Sequence, residues 1–98
     1  MRKQEIVKVS AKSNPASVAG AIAALVREKK EIKIQVIGAG ALNQAVKAIA
    51  IAKEYVAPTG VNLYCSPSFI NLEISGRNKT GLCIAIQAVT GASQLAQV

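Results

Sequence analysis

The chain has 98 residues, near the usual size of one independently folding domain. Hydrophobic residues make up 51% and charged residues 17%, which excludes an intrinsically disordered chain. With only 3% aromatic residues, the core has to be built from Ile, Val, Leu and Ala.

Twelve Lys and Arg against five acids give a net charge of +7, a balance that attracts polyanions. The acids are Glu5, Glu28, Glu31, Glu54 and Glu73, with no Asp, so the windows 6–27 and 32–53 carry no carboxylate. No apolar run approaches the about 18 residues of a membrane span. Met1-Arg2-Lys3-Gln4-Glu5 leads into no apolar signal segment. The expectation is a cytoplasmic protein with no membrane association.

Ile6-Val7-Lys8-Val9 is a β-rich run and predicts the first strand. In the turn Ser10-Ala11-Lys12-Ser13-Asn14-Pro15, Asn14 suits a helix N-cap and Pro15 the first helical position. From Ala16 to about Lys30, Val18, Ile22, Leu25 and Val26 recur at helical spacing, opposite Gly20, Ala23, Ala24 and Arg27. Lys29 and Lys30 suit the negative end of that helix dipole. Ile32-Lys33-Ile34-Gln35-Val36-Ile37 alternates as a second strand.

Gly38-Ala39-Gly40-Ala41 breaks the alternation, and Leu42 to Val56 predicts a second helix. One stripe on it is Leu42, Ala45, Ile49, Ala52 and Val56. A further flank of Ala48, Ile51 and Tyr55 predicts contact with the other helix or another subunit. Ala57-Pro58-Thr59-Gly60 stops this helix. Val61–Cys65 and Phe69–Ile74 alternate about an interruption at Ser66-Pro67-Ser68, where Pro67 indicates an edge strand or a bulge.

Gly76-Arg77-Asn78-Lys79 predicts a hairpin turn, with Leu82–Ile86 returning antiparallel. In the simplest register Ile74 faces Leu82 and Cys83 faces Glu73. Cys65 and Cys83 are then far apart, so both are expected as reduced, small strand hydrophobes. The tail after Val89 is expected to fray or to pack on a partner.

The order β-α-β-α-β-β implies an α/β chain of the α+β two-layer type. Its four-stranded mixed sheet carries both helices on one face. The other face is expected to show Lys8, Lys33, Gln35, Asn62, Asn71 and Gln87 with Ile37, Tyr64 and Phe69. Loops after the first two strands emerge at one edge, each feeding a helix N-terminus, where ligands favour α/β sheets. That edge gathers Ser10, Lys12, Ser13 and Asn14 with Gly38, Gly40, Asn43, Gln44 and Lys47. Every member is a donor or neutral, so the expectation is an anion-binding edge.

Other site chemistries fit poorly. Gly38-Ala39-Gly40-Ala41-Leu42-Asn43 begins like a dinucleotide-binding turn, but Asn43 replaces the third glycine and no acid follows to hold a ribose. No Gly-Lys-Ser/Thr follows either, which excludes a phosphate-binding Walker loop. Without His, Asp or Glu at the edge, general acid–base chemistry has no agent. A Ser10 or Ser13 nucleophile with Lys12 as base would need a desolvated lysine. No enzyme activity, metal or cofactor is expected.

Val9-Ser10-Ala11-Lys12-Ser13-Asn14-Pro15, Ser17-Val18-Ala19-Gly20-Ala21, the segment Ile37 to Ala48, and Ala57-Pro58-Thr59-Gly60-Val61 resemble the stage V sporulation protein S family. The resemblance covers about Ile6 to Ala88. It implies a single Alba-like domain over 1–98, with its core at about 5–89 and a tail at 90–98. It also implies a small regulator of sporulation and septation. Alba-type proteins are dimeric chromatin or RNA binders. The resemblance therefore implies a nucleic-acid partner, DNA or RNA, and a homodimer or higher homo-oligomer. By position it adds Arg77 and Lys79 of the last hairpin to Lys12 and the segment from Gly38 to Lys47. The alternatives are a protein-interaction module and a sensor of a small phosphorylated ligand.

Overall fold

A computed structural model describes residues 3–91. The chain runs β1 (Gln4–Lys8), α1 (Pro15–Arg27), β2 (Glu31–Val36), α2 (Ala39–Val56), a 3-10 turn (Ala57–Thr59), β3 (Val61–Ile74) and β4 (Arg77–Thr90). The four strands form one sheet in the order β1-β2-β4-β3. β1 is parallel to β2, while β4 is antiparallel to both β2 and β3. This is the mixed, two-layer βαβαββ arrangement that the sequence implied. The predicted tail lies mostly in residues 92–98, outside the described residues.

Pro15 sits in the first turn of α1, and the Asn14 Oδ1 accepts from the amides of Ala16 and Ser17 at 2.9 and 3.1 Å. At the other end, the Lys30 amide donates to the Leu25 carbonyl and the Lys29 amide to that of Val26, both at 3.0 Å. Lys29 has φ 58°. This is a Schellman closure with lysine in the left-handed position that glycine usually takes. Lys29 thus ends the helix by its backbone, a role beyond the dipole interaction expected of it.

The core consists of Val9 after β1, Ile22 from α1, Ile32, Ile34 and Val36 from β2, Ile49 and Val56 from α2, Leu63 from β3, Ile84 and Ile86 from β4, and a row of alanines. Ala41, Ala45, Ala48 and Ala52 of α2 are buried, as are Ala19 and Ala23 of α1, and the two helices pack side by side. Residues of one-methyl side chains let helix axes approach closely. Ala23 was expected on the exposed face of α1, but the neighbouring helix covers it. The same contact accounts for Ala48 on the second flank of α2, whereas Tyr55 on that flank remains exposed.

β3 and β4 depart most from expectation. The turn is Ser75-Gly76, with φ 53° and 76°, and Ile74 pairs with Arg77. Positive φ at both central residues defines a two-residue hairpin turn whose twist matches its strands. Residues 77–79 are therefore strand, and the register moves. Leu82 faces Phe69 and Cys83 faces Ser68, rather than Ile74 and Glu73. Cys65 faces Ile86, so the two thiols sit on opposite sheet faces, and both are free.

No break occurs at Ser66-Pro67-Ser68: β3 runs unbroken for 14 residues at the sheet edge. Counting from the Ile74–Arg77 closure, Pro67 falls in a pair that exchanges no backbone hydrogen bonds, so its missing N–H costs nothing. Unbroken alternation also moves Asn71 and Phe69, which pair with Thr80 and Leu82, to the helix side of the ribbon. Ile37 lies beyond the end of β2. Lys8, Lys33, Gln35, Asn62, Tyr64 and Gln87 occupy the outer face as expected.

β2 pairs with β4 only as far as Val36–Leu82, so 70–74 and 77–81 form a projecting two-stranded arm. Strands of this length span about 46 Å, which accounts for the 47 Å long axis of the molecule.

Candidate functional site

Both loops expected at the candidate edge meet there. A Cβ built on Gly40 would lie 3.0 Å from the Ala11 Cβ, so a residue without a side chain lets the start of α2 approach the first loop. The Gln44 Nε2 donates to the Ser13 carbonyl at 2.9 Å, tying α2 to that loop. Within the loop, the Ser10 amide donates to Ser13 Oγ at 2.9 Å, and the Lys12 amide donates to Ser10 Oγ at 3.2 Å. The Ser13 amide donates to the Ser10 carbonyl at 3.1 Å.

These bonds divide the expected residues by role. Asn14 is engaged as a cap, Gln44 as a clip, Gly40 as a spacer, and Ser10 and Ser13 as ties that fold the loop. Lys12, Asn43 and Lys47 are exposed. Gly38 opens α2 at φ 90° and supplies no side-chain cap. The first turn of α2 accordingly presents amide donors that no side chain satisfies. Ser10 Oγ accepts from the Lys12 amide, and Lys12 is exposed, so the burial that a lysine base would need is missing at this loop.

The arm reaches the same end of the molecule. Leu72, Glu73 and Ile74 share a hollow with Lys8, Val9, Ser10, Ala11, Gln35 and Ile37. Arg77 and Lys79 are cross-strand from Ile74 and Leu72 and share their face of the ribbon. Arg77 and Lys79 thus lie on the arm beside two residues of the hollow, Lys12 follows Ala11 of the same hollow in the chain, and Lys47 stands one helical turn beyond Asn43.

Two features of this end were not legible in the sequence. Glu73, over sixty residues from Ser10 in sequence, lines the hollow, so the end is not free of carboxylate. Gly81 is buried where the arm leaves the sheet, and a Cβ there would lie 2.5 Å from the Val36 carbonyl. A glycine inside a strand is the one available signal, because it often marks a close backbone approach.

The model of the Stage V sporulation protein S (SpoVS) family matches residues 5–89. The chain belongs to this family. As a SpoVS member it is a small sporulation-associated protein, and the match takes in all the strands and helices described above except the end residues Gln4 of β1 and Thr90 of β4. Its fold is similar to that of Alba from Thermoplasma volcanium, with a TM-score of 0.58 at 16% identity. That similarity covers 89% of this chain and all of the other. The SpoVS chain is therefore Alba-like in fold. No helix among the described residues is long and apolar enough to cross a membrane.

Proposed function

We propose that this SpoVS chain is a non-catalytic, regulatory nucleic-acid-binding protein of a single Alba-like domain. It acts in the cytoplasm as a homodimer or higher homo-oligomer in the control of sporulation and septation. The observation that carries this reading is the approach of the arm to the first loop. In this reading Lys12, Arg77 and Lys79 act together at that end, beside the donor-rich start of α2. Cations from separate segments, spaced along one surface, suit a repeating phosphate backbone better than a single phosphate group. Gly38, Gly40, Asn43 and Lys47 would supply backbone and side-chain donors, while Ser10, Ser13, Asn14 and Gln44 hold that surface in shape.

The test is a titration against DNA, RNA and a non-nucleic polyanion at two salt concentrations. Nucleic acid should remain bound at a salt at which the polyanion dissociates. Replacing Lys12, Lys47, Arg77 and Lys79 with Ala should flatten the dependence of log K on log salt by up to about 3.6 in slope for duplex DNA and about 2.8 for a single strand. An unchanged slope, or equal loss of all three polymers, overturns the assignment.

A second reading, a protein-interaction module, is favoured by Phe69, which is 82% exposed in β3 just before the arm begins. It predicts a partner complex that survives moderate salt and is lost on Phe69→Ala.

A further inference from the structure

A cavity of about 490 Å³ lies at the opposite end of the sheet from the loops. Val26, Ile32, Val56, Val61, Ile86 and Ala88 make its apolar wall. Arg27, Lys29 and Lys30 stand on it, with Thr59 and Thr90, and none of the described residues that line it is acidic. We propose that this cavity binds an anionic amphiphile: a carboxylate or similar head group held by Arg27 and Lys30, with an aliphatic body on the Ile32–Ile86 floor.

The size falls in the range of small-molecule sites, about 300–1,000 Å³, and apolar walls with a few convergent polar groups are their usual character. Helix capping does not use up the three cations. The Ala24, Val26 and Leu25 carbonyls accept from the amides of Glu28, Lys29 and Lys30, so the end of α1 is closed by its own backbone. At the end of α2, the Thr59 Oγ1 donates to the Val56 carbonyl at 2.7 Å. The cations thus stand over apolar surface, with no acid among the described residues that line the cavity. An arginine fork pairs bidentately with a carboxylate, and the ligand's apolar body would cover Ile32, Ile86 and Ala88.

This inference is independent of nucleic-acid binding, which concerns the other end of the molecule. Decanoate, titrated calorimetrically into the full chain, should bind at one site per chain and displace 1-anilinonaphthalene-8-sulfonate. Amide chemical shifts should move at Ile32, Ile86 and Ala88. Decanol, which lacks the charge, should bind at least about tenfold more weakly. Arg27→Gln with Lys30→Gln should weaken decanoate by about tenfold or more and leave decanol unchanged. Arg27 is exposed and Lys30 half-buried, and an unaltered unfolding midpoint would establish that the variant folds.

Equal affinity for decanoate and decanol overturns the proposal, as does decanoate binding that the double variant leaves intact. Binding seen only after deletion of residues 92–98 overturns it in favour of the chain's own tail as occupant. Lys12→Ala with Arg77→Ala should leave decanoate affinity unchanged while weakening nucleic acid, so the two readings fail separately.

Discussion

Asn14 commits its side-chain oxygen to two amides of the first turn of α1, and Lys12, two residues earlier, is exposed. Neighbours in one loop therefore carry separable roles. Asn14→Ala should lower unfolding free energy by about 1 kcal/mol in a urea titration. Lys12→Ala should leave stability within about 0.5 kcal/mol and weaken nucleic-acid binding. Lys29 is a third case. Its left-handed backbone carries the cost that a Cβ imposes there, so Lys29→Gly should raise stability by about 1 kcal/mol, read as a higher urea midpoint at unchanged slope. The cap at Asn14 was legible because Asn-Pro before an apolar periodicity is a local signal. The conformation of Lys29 was not, because lysine does not mark the left-handed region.

The arm is the element on which the proposed interface depends. Its turn carries positive φ at Ser75 and Gly76, and its root passes the end of β2 at Gly81. Gly81→Ala would drive a methyl group against the Val36 carbonyl, a backbone atom with little freedom to give. A loss of about 1–3 kcal/mol is expected, with amide shifts moving at Val36 and Ile37. Glu73 opposes the interface it sits beside. Glu73→Gln removes a negative charge from the hollow shared with Lys8 and Ser10, and should tighten nucleic-acid binding by about two- to fivefold at low salt, with less effect at high salt. A weaker or unchanged affinity would place the bound polymer away from the arm. Read as a string, Ser66-Pro67-Ser68 breaks a strand and inverts the faces beyond it. In the sheet, the pairing of β3 with β4 holds the backbone extended straight through, because Pro67 needs no hydrogen bond at its position.

Across the whole molecule, the interface lies at the carboxyl ends of β1 and β2 and the amphiphile cavity at the opposite end, roughly 17 Å apart along β2. Substitutions at the two ends should act additively on stability, within about 0.5 kcal/mol in a combined variant. The elements of α1, β2 and α2, the cap, and the two acid-free windows were determined by the sequence alone, since each rests on a period or a spacing within a few residues. The gathering of Ser10, Lys12, Gly38 and Gly40 was legible too, because strand–helix connectivity brings such loops to one edge. Only the tertiary structure decided the β3–β4 register, the approach of Glu73, Arg77 and Lys79 to that edge, the Gln44 clip and the far cavity. Each of these joins residues distant in the chain, and a one-residue change of register or one buried glycine alters which of them meet.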